Sequence, residues 1–168
     1  MRVLGIDPGT ATTGYGLIDS DSSGDTAVAY GIISTPAEQP LEGRLLTISG
    51  EITALLERHK PDACAVEDLF FGRNTRSAFS VAHARGVVLL AAAQHNLAVH
   101  VYRPIQVKQA VASYGAATKD QVQQMVRLLL RLAEIPRPDD AADALAVAIC
   151  HAHSYEQARR LAALKAAG

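Results

Sequence analysis

Four carboxylates in this chain stand where an enzyme could hold metal ions. Asp7 and Glu67 each end an apolar run, and Asp140 and Asp143 lie three residues apart in an alanine-rich stretch with helical character. Residues at that spacing share one helix face, and ligands of open α/β sheets bind at strand ends. Carboxylate oxygens suit Mg²⁺ or Mn²⁺. Two such ions about 3.5–4 Å apart would activate water and stabilise a leaving oxygen, so the pattern favours phosphodiester hydrolysis.

The same acids have structural interpretations. Asp7 precedes a Pro-Gly turn, Asp140 could cap its helix, and Asp139, directly after Pro138, is better placed for capping than for chemistry. Asp143 lies on an apolar helix face, where a carboxylate needs a partner. No basic residue lies one helical turn away from Asp143 on either side, so a metal ion is the alternative partner.

The histidines and cysteines compete weakly for a metal role. His151 and His153 are two residues apart and point in different directions on a helix, and the other four histidines have no metal-ligand spacing. We expect surface or helix-packing roles for them. Cys64 and Cys150 lie in apolar runs and are expected to be buried thiols without a function.

Charge is unevenly distributed along the chain. Between residues 70 and 137 there are nine Arg or Lys and two acids, hence +7, whereas the remainder carries seven basic and fifteen acidic residues, hence −8. A basic segment of this kind could face a polyanion. A charge imbalance scattered over a solvated surface is the alternative.

The elements that must position the acids follow one another without a domain break. Apolar alternation predicts strands at 2–7, 13–19 and 27–34, a strand at 62–67 and another at 98–102; helical spacing predicts helices at 40–59, 77–96, 105–112 and 119–132 and a last one after Pro138. Gly86 is expected to pack inside the second helix. This order predicts an α/β fold in which a mixed sheet is flanked by helices.

Hydropathy predicts no membrane anchor. No stretch reaches the roughly 18 apolar residues of a membrane span, and "MRVLGID" has no signal-peptide pattern. We therefore expect a cytoplasmic protein.

Four segments together carry a family resemblance. "GIDPGTATTGYG", "AVEDLFFGRNTRSAFSVAHARGVVLLAA", "VYRPIQVKQAVASYGAATKDQVQQMVRLLL" and "DDAADALAVAICHAH" resemble the RuvC family of Holliday junction resolvases, in order and at family spacing. The resemblance implies a ribonuclease H-like five-stranded fold in a single nuclease domain, 1–153, followed by a helical tail, 154–168. It implies a structure-selective endonuclease that makes symmetric paired nicks with 5′-phosphate and 3′-hydroxyl ends.

The resemblance also implies roles for individual residues. The metal-binding carboxylates of the family match Asp7, Glu67, Asp140 and Asp143, and its active-site lysines match Lys108 and Lys119. An aromatic that stacks on bases at the junction centre matches Phe70. In the polar loop after it, Arg73, Asn74 and Arg76 could reach phosphates. Asp68, where relatives carry an amide, is kept out of the metal set, and Arg85 is expected to serve packing rather than chemistry.

Partners and alternatives complete the prediction. The resemblance implies two Mg²⁺ per site, with Mn²⁺ as a possible substitute, a homodimer on a four-way DNA junction, and a branch-migration motor of the RuvA and RuvB type. "DPGTATTGYG" also resembles the phosphate-binding hairpin of actin-type and sugar kinases, but such enzymes need two domains of this kind. A DNA-binding protein that has lost catalysis is a second alternative, against which all four acids are present. A related nuclease that acts on another branched or RNA-containing substrate is a third.

Overall fold

A five-stranded mixed sheet forms the centre of the computed structural model, which describes residues 1–68 and 75–166. The strands are β1 (Arg2–Asp7), β2 (Thr12–Asp21), β3 (Gly24–Ser34), β4 (Ala63–Glu67) and β5 (Val99–Tyr102). They lie in the order β3-β2-β1-β4-β5. The first three form an antiparallel meander, whereas β4 runs parallel to β1 and β5 parallel to β4. The predicted mixed sheet is confirmed.

Helices cover both faces of this sheet. They are α1 (Leu41–His59), α2 (Thr75–Gln94), α3 (Pro104–Ala112), α4 (Lys119–Leu129) and α5 (Asp139–Ala166). One core packs β1, β2 and β4 against α1 and α2, through residues such as Leu4, Ile48 and Val88. The other packs the opposite face against α3, α4 and α5, through residues such as Val3 and Leu145. The element order agrees with the sequence prediction throughout the described ranges.

The β2–β3 hairpin is longer than predicted. The predicted strands end at residue 19 and resume at residue 27, but the antiparallel ladder continues to the pair Asp21 and Gly24. Gly24 has a φ of +121°, a conformation that glycine adopts at little cost. A tight connection therefore replaces the expected loop, because the flanking backbone keeps its ladder hydrogen bonds.

Two glycines of the central strands let α5 lie directly on the sheet. Gly5 of β1 and Gly16 of β2 are paired across the ladder. A Cβ added to Gly5 would lie 2.2 Å from the carbonyl oxygen of Ala144, and one added to Gly16 would lie 2.6 Å from the amide nitrogen of Leu145. Both separations are far below van der Waals contact, so the helix backbone occupies space that any other residue would fill.

The prediction that Gly86 packs inside α2 is wrong. Gly86 is exposed, and a Cβ added there would meet nothing within 4 Å. Phe79, His83 and Leu90 are exposed on the same helix, and Phe79 and Leu90 are 69% and 57% accessible. Positions 79, 83, 86 and 90 follow helical spacing, so α2 presents one continuous outward stripe.

The expected packing roles of the cysteines and of the two α5 histidines are confirmed. Cys64 and Cys150 are free and buried, and burial raises their thiol pKa to about 12 and about 11. His151 is buried, and its Nδ1 lies 2.8 Å from the Tyr102 hydroxyl. Burial lowers the pKa of His151 to about 4, so this ring packs as a neutral side chain.

Helix α5 continues past the predicted domain boundary. It runs without a break from Asp139 to Ala166. It is buried on nearly all sides up to Ala152 and exposed along most of its last turns. The division into a domain ending at 153 and a tail stays a prediction. Within 1–68 and 75–166, no helix is long and apolar enough to cross a membrane.

Candidate active site

Asp7 and Glu67 lie side by side at one edge of the sheet. β1 and β4 are parallel neighbours that pair as far as Ile6 and Val66, and the next residue of each strand is an acid. Burial, followed by the charges of Glu67, Asp143 and Asp140, raises the pKa of Asp7 to about 7. Burial and the charge of Asp143 raise the pKa of Glu67. The fold thus collects negative charge at an apolar edge, where it is costly.

A glycine brings the first turn of α5 to the same place. Gly14 is the cross-strand partner of Asp7. A Cβ added to Gly14 would lie 2.0 Å from the carbonyl oxygen of Asp140 and 3.1 Å from its Cβ. Asp140 therefore sits almost directly over the residue beside Asp7, and Asp143 follows one turn later. The structure brings together the four acids that the sequence singled out.

The turn after Asp7 is fixed by hydroxyl groups from three other elements. Thr13 donates from Oγ1 to the carbonyl oxygen of Gly9 at 2.6 Å. The Thr35 hydroxyl donates to the carbonyl oxygen of Thr10 and accepts from Nε of Arg44, the latter at 2.8 Å. The Thr10 hydroxyl contacts that of Ser80 on α2. These bonds fix the turn that directly follows Asp7, which is the last residue of β1.

Lys119 gives Asp143 the cationic partner that the helix itself does not. Its Nζ lies 3.0 Å from Oδ2 of Asp143 and 3.4 Å from Oδ2 of Asp139. Burial lowers the pKa of Lys119, but the hydrogen bond and charge of Asp143 and the charge of Asp139 outweigh it and leave the pKa raised. The spacing of residues along α5 could not show this contact, because Lys119 belongs to α4.

Lys108 is the second lysine whose charge acts on the carboxylates. It is partly buried on α3, and its charge opposes the rise in the pKa of Glu67, as does that of Lys119. Both predicted lysines therefore act electrostatically on the acidic edge.

The expectation that Asp139 caps the helix is wrong for its side chain. Among the described residues, the Asp139 carboxylate contacts the side chains of Arg137 and Lys119, and no helix amide donates to it. The pKa of Asp139 is lowered by the Gln123 side chain and also by the charges of Lys119 and Arg137. Sequence reasoning missed this role because Lys119 and Gln123 belong to α4, a separate part of the chain.

Other predicted residues lie partly outside the described ranges. Phe70, Arg73 and Asn74 fall within 69–74, and for Arg76 only the backbone, in the first turn of α2, is described. Nη2 of Arg85 lies 4.0 Å from Oδ1 of Asp68, so Arg85 reaches the residue next to Glu67 from α2.

Not all of the basic segment faces outward with free charges. Arg127 donates to the carbonyl oxygen of Ala133 at 3.3 Å, and Arg131 donates to that of Ser23 at 3.4 Å. The Arg137–Asp139 pair, the Arg85–Asp68 pair and the contacts of Lys119 use further cations of this segment. The remaining cations include Lys108, whose charge acts on the acidic edge.

The residues present fit a divalent cation. Their donors are carboxylate oxygens, and burial and mutual repulsion raise the pKa of Asp7, Glu67 and Asp143. A bound cation would relieve that repulsion. Within the described ranges, no group of three or more acidic, histidine or cysteine side chains is placed to hold a metal ion without rearrangement, and Lys119 neutralises part of the charge.

Comparisons with known proteins agree with this geometry. Residues 3–151 match the family model described as crossover junction endodeoxyribonuclease RuvC. The protein of that name from Syntrophomonas wolfei is 58% identical over 155 residues, which cover 92% of this chain and 90% of the relative.

Two solved structures share the architecture. The T. thermophilus RuvC structure in complex with Holliday junction substrate is 38% identical, with a TM-score of 0.89 over 94% of this chain and 96% of that one. The yeast mitochondrial Holliday junction resolvase Ydc2 is 16% identical, with a TM-score of 0.68 over 95% of this chain and 82% of that one, and shows the fold alone. The mixed sheet, the family model and the close relatives together establish that this ribonuclease H-like chain belongs to the RuvC family of crossover junction endodeoxyribonucleases.

Proposed function

We propose that this protein resolves Holliday junctions in DNA recombination and repair by metal-dependent hydrolysis of phosphodiesters. The main support for this proposal is that Asp7, Glu67, Asp140 and Asp143 lie together at one edge of the sheet, where burial and mutual repulsion raise the pKa of Asp7 to about 7. The family membership supports the substrate. The proposed compartment is the cytoplasm, because the enzyme must reach chromosomal DNA.

The four carboxylates would hold two Mg²⁺ ions, with Mn²⁺ as a substitute. When bound, such ions supply a lowered water pKa and stabilisation of the leaving 3′ oxygen. The protein's own contribution is a rigid frame, since Asp7 is fixed by its hydroxyl-bonded turn and Asp140 by contact with Gly14. Attack of water on the phosphorus with the 3′ oxygen as leaving group gives products with 5′-phosphate and 3′-hydroxyl ends.

The lysines would stabilise charge on the scissile phosphate. Lys108 and Lys119 influence Glu67 from two different helices, so a phosphate bound at the acidic edge would be subject to the positive charge of both ammonium groups. Fixed cations around a reacting phosphate stabilise the negative charge that develops in the transition state. We assign Phe70 to stacking on bases at the crossover, and Arg73, Asn74 and Arg76 to backbone phosphates, on the strength of the family resemblance.

The paired nicks require two sites, and we propose a homodimer. The outward stripe of α2 supports it: Phe79, His83, Gly86 and Leu90 lie on one exposed helix face. Large exposed apolar side chains in a row mark interaction surfaces. The family resemblance also supports cooperation with a branch-migration motor of the RuvA and RuvB type.

The decisive experiment is cleavage of a synthetic four-way DNA junction. The wild type, Asp7→Asn and the control Glu51→Gln, an exposed acid on α1, are each incubated with Mg²⁺, Mn²⁺ or EDTA, and the cuts are mapped. We expect symmetric paired nicks from the wild type and the control with either metal, and binding without nicks from Asp7→Asn. Tight binding without nicks by the wild type in either metal would instead favour a non-catalytic junction-binding protein.

A further inference from the structure

Asp139 and one of the proposed metal ligands share the ammonium of the active-site lysine. The ammonium of Lys119 is shared between Oδ2 of Asp143 at 3.0 Å and Oδ2 of Asp139 at 3.4 Å. Asp143 belongs to the proposed metal-ligand set, whereas Asp139 precedes that set on α5. Lys119 therefore has one partner that a metal ion would engage and one that it would not.

Asp139 is itself held by its surroundings. Its other oxygen, Oδ1, pairs with Nη1 of Arg137. The Gln123 side chain on α4, 2% exposed, is the largest influence that lowers the pKa of Asp139. The Nε2 atom of Gln123 is buried and has no partner at standard hydrogen-bond geometry in the described part of the chain. Asp139 is thus a fixed anion, one helical turn before Asp143.

Only one of the two contacts of Lys119 competes with metal binding. The contact with Asp143 gives that carboxylate a positively charged partner, and it must be given up when Asp143 binds a metal ion instead. The contact with Asp139 can persist, because nothing in the metal site requires Asp139. An ammonium without a second anion would either stay on Asp143 or leave for solvent, since a long exposed lysine side chain loses entropy when it is held in place.

We propose that Asp139 is a positioning residue, which draws the Lys119 ammonium away from Asp143 and keeps it beside the reacting phosphate when the metal ions bind. This inference rests on the proposed metal-dependent function. It assigns Asp139 no direct contact with metal or substrate, and it explains why a second aspartate stands immediately before Asp140.

The test is a double-mutant cycle on metal binding without DNA. Mn²⁺ affinity is measured by electron paramagnetic resonance for the wild type, Asp139→Asn, Lys119→Met and the double variant. Asp139→Asn should weaken Mn²⁺ binding by about tenfold when Lys119 is present and by at most about threefold in the Lys119→Met background, because coupled neighbours are non-additive. Lys119→Met alone should strengthen binding.

Two further variants keep the interpretation clear. Asp139→Glu retains the charge and should restore both Mn²⁺ affinity and cleavage rate at saturating junction and Mg²⁺, which a lost helix-start preference would not do. Asp120→Asn removes an exposed acid next to Lys119 that forms no ion pair among the described residues, and it should leave Mn²⁺ binding within about twofold of the wild type.

The outcomes separate this inference from the proposed function. Equal weakening by Asp139→Asn in both backgrounds, or no weakening in either, would overturn the positioning role while the metal site stands. Failure of the wild-type protein to bind Mn²⁺ any better than Asp7→Asn would overturn the metal site and the inference with it.

Discussion

Substituting Gly14 by alanine would test whether the glycine contact positions the catalytic edge. Gly14 pairs with Asp7 across the β1–β2 ladder, and its missing side chain leaves room for the backbone of Asp140. The added methyl group would face a backbone carbonyl rather than a flexible side chain. It cannot be accommodated by a rotamer change, so either α5 or the strand must move.

The size of that movement follows from the contact. The new Cβ would lie 2.0 Å from the Asp140 carbonyl oxygen, whereas real Cβ contacts essentially never fall below 3.0 Å, so the two backbones must separate by at least about 1 Å. Overpacking of this kind costs about 1–3 kcal/mol of unfolding free energy. A displacement of about 1 Å among catalytic groups can lower the rate roughly 10²-fold. We therefore expect a folded, junction-binding protein with strongly reduced cleavage.

Single-turnover cleavage, mobility shift and urea denaturation would measure the three quantities separately. Gly50→Ala is the matched control, since Gly50 is exposed on α1 and an added Cβ there meets nothing within 4 Å. It should keep full activity and gain about 0.5–1 kcal/mol, the usual helix preference for alanine. Wild-type cleavage and stability in Gly14→Ala would refute the argument that this contact sets the site geometry.

Three further outcomes follow from the structure. In EDTA, the unfolding free energy should fall as pH rises from about 4 towards 7, because burial and then the neighbouring carboxylates raise the pKa of Asp7 from 3.8 to about 7 in the folded state. Urea titrations at several pH values should show a flatter pH profile of the unfolding free energy for Asp7→Asn. Identical profiles for the variant and the wild type would contradict this. Asp25 raises the pKa of His153 by a hydrogen bond at 2.9 Å, so the stabilisation of the fold by this pair is complete below pH 6.5 and is lost as pH rises through the raised pKa. In thermal denaturation, Asp25→Asn should lower the unfolding free energy by about 1 kcal/mol at pH 6 and by less at pH 9. A loss that does not depend on pH would count against the pair. Leu90→Glu on the α2 stripe should give monomers by sedimentation, while Leu164→Glu, at an even more exposed leucine near the end of α5, should stay dimeric. A dimeric Leu90→Glu would move the proposed seam elsewhere.

The order of elements was predictable because each has a local cause in the sequence. Prolines interrupt the apolar patterns at Pro40, Pro61 and Pro104, and helices or strands begin or end beside these residues. The β2–β3 hairpin was the exception. Its polar residues, typical of an open turn, stay in the ladder because Gly24 permits a tight connection.

The position of the four acids at one edge could also be predicted, since parallel strand ends and one helix face are geometric consequences of the pattern. The contacts among Lys119, Asp139 and Asp143 could not, because they depend on how α4 packs beside α5. The same holds for Gly5, Gly14 and Gly16. Sequence identifies them as small residues, and only the packed helix shows that any side chain there would collide with its backbone.

The burial of α5 has a consequence for how the protein opens. From Ala141 to Ala152 almost every residue of this helix is buried, between the sheet on one side and α3 and α4 on the other. Amide hydrogens in such a segment exchange only through the largest unfolding events, whereas exposed helix ends open in small local fluctuations. Asp140 and Asp143 are therefore attached to one of the slowest-exchanging segments, and the carboxylate edge should keep its shape while the last turns of α5 fray and re-form.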